Sequence, residues 1–179
     1  MKKTLFFTRF IQFIYQESTD AKTLDNVFFE MWRYFDSYDY KETLQDQSVW
    51  EVFKYEATKE TEDDGSFTAT LFDITVGLRW LYRFLIPFSI PVPKVDLTHI
   101  TLSGFPLIPA LVSKYRYNTP MIITEHGVYA RERLLYINRS DYSYFIKDFL
   151  IKLTEAITRL SYYKADKINI ASIGNIVSQ

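Results

Sequence analysis

A chain of 179 residues that is 47% hydrophobic and 18% aromatic has enough apolar mass for a real core, which excludes wholesale disorder. It contains no cysteine, so a disulfide scaffold and a thiolate metal site are both excluded. Its net charge of -1 is unevenly spread: residues 1–70 hold 8 Lys/Arg against 14 Asp/Glu, and residues 71–179 hold 13 against 8. That second half suits an acidic or phosphate-bearing small ligand, but its basic residues are too few and too dispersed for a nucleic-acid footprint.

The start, Met-Lys-Lys-Thr-Leu-Phe-Phe, has the flavour of a signal peptide, yet Arg9 and Gln12 break the apolar run and no small-residue cleavage site follows. A cytoplasmic location is expected. Helices are predicted where Leu5, Phe6, Phe10, Phe13 and Ile14 recur at helical spacing, and again at Leu24, Val27, Phe28, Met31 and Phe35. A third is predicted around Val49 and Phe53 with Ser48 as its N-cap. The aromatic stripes of these helices read as packing. The polar run Lys59 to Gly65 predicts an exposed loop, and Phe67 to Phe88 a further helix that Pro87 and Pro91 stop. The most apolar stretch, Phe84 to Pro93, holds three prolines and falls well short of the roughly 20 residues a bilayer span needs.

After Pro93 the pattern changes. Strands are predicted at Val95–Ile100, Met121–Glu125 and Lys167–Ala171, separated by helices at Phe105–Tyr117 and Tyr142–Lys164, with another helix starting at Ser172. Strands alternating with helices imply parallel pairing through right-handed crossovers. The fold class is therefore α/β: a partial Rossmann-like parallel sheet in residues 94–179, built as βαβαβ, with a helical N-terminal region in residues 1–93. Three strands with most of their helices on one side leave an edge and a sheet face for other elements to cover, so the chain reads as a piece of something larger.

The most informative residues are Thr124 to Arg133, T-E-H-G-V-Y-A-R-E-R, which leave the apolar strand Pro-Met-Ile-Ile where ligands bind in an open α/β sheet. His126 stands there, and the only other histidine, His99, closes the run Val-Asp-Leu-Thr-His. Glu125 is a candidate to orient the His126 imidazole or to pair with an arginine. Arg131 and Arg133 offer fork-like donors for phosphate or carboxylate, or else form a solvated ion-pair cluster at a helix start. Gly127 permits a sharp turn beside a ligand. Tyr129 either stacks on a sugar or packs. Ser103 and Gly104 precede a helix whose first amides are candidates to receive an anion or a sugar oxygen. Asn175 opens the last predicted helix, where capping is the ordinary role.

Other chemistries find little footing. The two histidines are 27 residues apart without a helical H-x3-H pairing, so no catalytic metal is expected. There is no G-x-S-x-G elbow, no G-x-G-x-x-G and no P-loop.

Four runs together, D-L-T-H-I-T-L-S-G-F-P (Asp96 to Pro106), T-E-H-G-V-Y-A-R-E-R, S-Y-Y-K-A-D-K-I (Ser161 to Ile168) and G-N-I-V-S-Q (Gly174 to Gln179), resemble the N-terminal domain of PelF-like glycosyltransferases. These are retaining family 4 enzymes of the GT-B fold. The resemblance is dense from Asp96 to Gln179 and looser from about Thr19 to Pro93. It implies transfer of a sugar from UDP-glucose, as nucleotide-sugar donor and with no further cofactor, to a saccharide acceptor in exopolysaccharide synthesis. It also implies that His126 contacts the transferred sugar, that His99, Arg131 and Arg133 shape the acceptor side, and that Asn175 faces the cleft. A membrane-bound polysaccharide secretion complex is an implied partner. A full member of that group begins with a strand and a glycine-rich loop, which are not found ahead of Leu5, and carries its donor-binding domain with an E-x7-E motif, expected beyond Gln179. On that reading the 179 residues alone are expected not to catalyse transfer. A non-catalytic module that docks on a partner is the alternative.

Overall fold

The computed structural model describes residues 2–15, 20–64, 69–127 and 129–170. Five helices come first: α1 (Lys2–Tyr15), α2 (Ala21–Phe35), α3 (Tyr40–Gln45), α4 (Gln47–Asp64) and α5 (Leu71–Leu85), closed by a 3-10 turn at Ile86–Ser89. The second part runs β1 (Thr98–Ile100), α6 (Leu107–Tyr117), β2 (Met121–Glu125), α7 (Tyr129–Arg139), α8 (Tyr144–Lys164) and β3 (Lys167–Ile170). The strands form one parallel sheet in the order β1-β2-β3. The chain is thus α/β, a small Rossmann-like parallel sheet with a helical N-terminal region.

Side-chain alternation decides which face of the sheet is covered. Met121, Ile123 and Glu125 of β2 are buried, as is Ile100 of β1, which pairs with Ile123. These residues face α6 and α8, which pack on β1 and β2 and on each other. His99, Ile122 and Lys167 are in register across the opposite face, followed by Thr124 and Asn169. All four residues of β3 are exposed, Ile170 by 80%.

Helices α1, α2 and α5 lie on the outer side of α8, so the order of layers is sheet, then α6 and α8, then the N-terminal helices. The aromatic spacing expected of core is core. Phe28 of α2 lies 5.3 Å from Phe10, 5.5 Å from Phe88 and 6.4 Å from Phe84 between ring centres, all near edge-on. A polar tie crosses the same layers: Asp25 of α2 accepts the Tyr115 hydroxyl at 2.6 Å and the Lys164 ammonium at 2.7 Å. Burial, reinforced by the Asp25 carboxylate, pushes the Tyr115 hydroxyl well above its ordinary range.

Several boundaries differ from expectation. Lys59 to Asp64 continue α4 instead of forming a loop, because Lys and Glu are good helix formers and a polar run does not separate loop from solvated helix. The cap of α4 is Asp46, not Ser48: its carboxylate accepts the Ser48 N–H at 2.8 Å and also the Ser48 hydroxyl. β1 is confined to Thr98–Ile100, and Val95, Asp96 and Leu97 are exposed outside the ladder. Helix α5 begins at Leu71 rather than at Phe67. Phe67 itself lies outside the described residues, as do Ala171 and the helix expected from Ser172. Among the described residues, no helix is long and apolar enough to cross a membrane.

The start of α5 is tied to the start of α8. Thr70 and Asp73 form a reciprocal capping box: the Thr70 hydroxyl oxygen accepts the Asp73 N–H at 3.1 Å and the Asp73 carboxylate accepts the Thr70 N–H at 2.9 Å. The other carboxylate oxygen accepts the hydroxyl of Ser143, the N-cap of α8. Burial pushes the Asp73 carboxyl up, but the hydrogen bonds from Ser143 and Thr70 outweigh it and hold it below the ordinary carboxylate range. A depressed folded-state value means that the stabilisation is full above the unfolded value of about 3.9 and is lost as pH falls through the folded one. Asp73→Ala is therefore expected to cost about 1–3 kcal/mol near neutral pH in denaturant unfolding, and the gap from the parent chain should narrow below about pH 4. A gap independent of pH would remove the carboxylate from this account.

Candidate functional site

The carboxyl ends of β1 and β2 lie side by side, and the loops that leave them carry most of the residues singled out from the sequence. Glu125 ends β2 on its covered face and is 5% exposed. His126, one residue on, is exposed. Among the described residues Glu125 makes no hydrogen bond to the imidazole, so it does not orient it. Nor does it pair with an arginine. Its carboxylate accepts the Ser103 N–H at 3.0 Å and the Tyr162 hydroxyl at 3.4 Å, while the Ser103 carbonyl accepts the Thr158 hydroxyl at 3.4 Å. Glu125 thereby fastens the loop after β1 to the end of β2 and to α8.

Two glycines mark close approaches around this tie. A Cβ on Gly104 would lie 2.5 Å from the Tyr129 phenol oxygen and 2.6 Å from its ring carbon. The Tyr129 ring therefore rests on the Gly104 backbone and joins the first loop to α7, a packing contact. Burial pushes the Tyr129 hydroxyl up, the Arg133 guanidinium pulls it down and the Glu125 carboxylate pushes it up again, with a net rise. A Cβ on Gly127 would lie 2.4 Å from the Glu132 carboxylate, which folds back against the loop from the first turn of α7. There it complements the positive end of the helix dipole. Gly104→Ala is expected to displace the Tyr129 ring, measurable as a changed near-ultraviolet dichroism and a loss of about 1–3 kcal/mol. An unchanged spectrum and stability would mean the two loops are not held by this contact.

Most of the amides ahead of α6 are already spent. Gly104 N–H donates to the Leu102 carbonyl at 3.0 Å, Leu107 N–H to the Gly104 carbonyl at 2.9 Å and Ile108 N–H to the Phe105 carbonyl at 3.4 Å. Pro106 and Pro109 have no N–H to offer. Ser103 and Gly104 thus act through loop geometry, and the buried Ser103 hydroxyl has no hydrogen-bond partner among the described residues.

The remaining candidates are dispersed. His99 lies within β1, not at its end, opposite Ile122, with its Nε2 2.8 Å from the Thr124 hydroxyl on the uncovered face. Ile122 precedes Glu125, the last residue of β2, by three residues, so His99 stands roughly 10 Å along the strand direction from where the His126 loop begins. Arg131 and Arg133 do not make one fork, because residues two apart on a helix point to nearly opposite sides. Arg131 is exposed and lines a groove between α7 and α8 with Leu134, Ile151 and Glu155. Arg133 lies over the Tyr136 ring at 5.3 Å, with its Nε buried and without a hydrogen-bond partner among the described residues. Asn175 lies outside the described residues. Among the described residues, no cluster of His, Asp or Glu is arranged to hold a metal ion.

Thr158 and Tyr162 of α8 were not foreseen as part of this site. The available signal was Thr158 and Ser161, polar residues within an otherwise apolar stripe of a long helix and both buried. No curated protein and no solved structure matches the chain. Residues 2–179 match the family described as Domain of unknown function (DUF3492), and the chain belongs to that family.

Proposed function

We propose that the chain is part of the acceptor-side domain of a retaining glycosyltransferase that moves a glycosyl unit from a nucleotide sugar, UDP-glucose or a close analogue, to a saccharide acceptor in cytoplasmic exopolysaccharide synthesis. The observation that carries this reading is the exposed His126 at the carboxyl end of a central parallel strand, directly after the buried Glu125 that ties the end of that strand to the loop after β1. An imidazole held there can donate a hydrogen bond to a sugar hydroxyl or to charge developing as the glycosidic bond breaks. His99 and the arginines of α7 then flank the acceptor. The donor nucleotide is held by a second domain of the same enzyme, and a membrane-bound polysaccharide secretion complex is the further partner.

The test is UDP-glucose binding and hydrolysis by the chain extended to its natural stop codon. His126→Ala should lower turnover by about a hundredfold while donor binding stays nearly intact. Equal turnover by the parent and the variant would refute the role of His126, and absence of donor binding would refute the reading as a whole. The second reading, a non-catalytic docking module, draws on the exposure of all four β3 residues. A stop codon directly after Gln179, together with no nucleotide-sugar binding, would favour it.

A further inference from the structure

Beside the loop that follows β1 lies an aromatic group that the reading above does not use. Phe105 comes directly after Gly104 and is 43% exposed. Trp80 of α5 lies parallel to it, with an interplanar angle of 7° and ring centres 6.4 Å apart. Tyr142, just before α8 and 37% exposed, meets Trp80 edge-on at 6.5 Å. Phe84 supports Phe105 from the core at 5.3 Å. Three of these rings therefore form one contiguous, partly exposed group, in which Trp80 and Phe105 are parallel and Tyr142 is nearly perpendicular to Trp80.

Topology puts this surface at the same end of the sheet as His126. A crossover helix runs opposite to the parallel strands it joins, so the first turns of α6 and α8 both lie where β1 and β2 finish. Phe105 and Tyr142 flank those first turns. The link to the site is also covalent and steric: Gly104, beneath the Tyr129 ring, is the residue before Phe105, and Tyr129 is three residues after His126.

The polar atoms of the group are free. Neither the Trp80 indole N–H nor the Tyr142 hydroxyl makes a hydrogen bond among the described residues, although Tyr and Trp ordinarily find partners for these groups when covered. Flat apolar faces with unspent donors at their edges match a pyranose ring, which presents a C–H face to an aromatic ring and hydroxyls around its rim. A purely apolar partner would leave those donors unpaired.

We propose that Phe105, Trp80 and Tyr142 form a stacking platform for a pyranose ring of a saccharide, adjoining the His126 loop. This rests on the reading of the site as one that takes a saccharide acceptor, and it names the residues that hold the acceptor chain.

The experiment is ligand-observed saturation-transfer NMR and titration of the 179-residue chain with linear tetrasaccharides of β-linked glucose and of β-linked N-acetylglucosamine. The parent chain is expected to bind at least one of them, with transfer strongest at the ring C–H protons. Phe105→Ala and Tyr142→Ala should each weaken binding by about tenfold, and Tyr38→Ala, an exposed tyrosine between α2 and α3 whose ring stacks on Tyr34 and not on this group, should not. Circular dichroism and thermal unfolding confirm that each variant is folded, and Trp80→Phe, which keeps a ring but removes the N–H, provides a second variant of intermediate effect. Binding unaffected by Phe105→Ala in a folded variant, or no binding of either tetrasaccharide by the parent, would overturn the platform. Because no donor is present, the result is independent of UDP-glucose turnover: saccharide binding that depends on Phe105 would stand even if the donor test failed, and donor turnover without it would leave the enzyme reading intact and place the acceptor elsewhere.

Discussion

Phe28→Ala should lower the stability of the fold by about 3–5 kcal/mol, the usual range for removing a fully buried aromatic ring. Phe28 has no exposed surface and meets Phe10, Phe84 and Phe88, so it joins α1, α2, the end of α5 and the 3-10 turn. Loss of its ring opens a cavity where elements of four different segments meet and cannot all close in together. Against a total of roughly 5–15 kcal/mol for a domain, that is enough to leave a large unfolded fraction at moderate temperature. Denaturant unfolding followed by far-ultraviolet dichroism measures it. A loss below about 1 kcal/mol would mean that the helical layers close without this ring, and would contradict the packing described here.

Glu125→Ala carries the second large effect. The carboxylate is buried and receives two donors, so its removal leaves the buried Ser103 N–H unpaired away from water and also frees the exposed Tyr162 hydroxyl. The expected cost is about 2–4 kcal/mol. Glu125→Gln keeps a carbonyl oxygen for the Ser103 N–H and should recover a good part of the loss. Amide hydrogen exchange at Ser103 gives a local reading: protection should collapse in the alanine variant and persist in the glutamine one. Equal, small losses in the two variants, with Ser103 still protected, would show that the loop after β1 is held by something else.

Where side-chain period was strong, the fold was legible in the sequence. The aromatic stripes of α1 and α2, the alternation of β2 and the long apolar stripe of α8 each imposed a single local geometry, and the parallel sheet followed from their alternation along the chain. Of helix α7 only a start near Arg131 and Arg133 was legible, because Ile137 is its one buried residue and little apolar periodicity marks the rest. α3 is six residues long and offers too few turns to show a period. The site was readable as a place more than as an arrangement. Its location at the end of β2 followed from the strand run before His126, whereas the partners of Glu125 did not, because Ser103 is 22 residues away in sequence and Tyr162 is 37. Prolines explain another shortfall: Pro106 and Pro109 are plain in the sequence, but that the remaining amides fold back on Leu102, Gly104 and Phe105 is a property of the loop's path.

The Asp25 tie has a consequence for the order in which the molecule can assemble. Asp25 meets Tyr115 across 90 residues of sequence and Lys164 across 139. The apolar faces of α1 and α2 likewise close on α8. During synthesis these phenylalanine-rich faces emerge before α8, so the nascent chain must shelter them while the 139 residues from Asp25 to Lys164 are made, roughly 7–28 s at about 5–20 residues per second. The architecture thus makes the N-terminal helices earlier products than their cover, dependent on chaperone holding for longer the slower the ribosome.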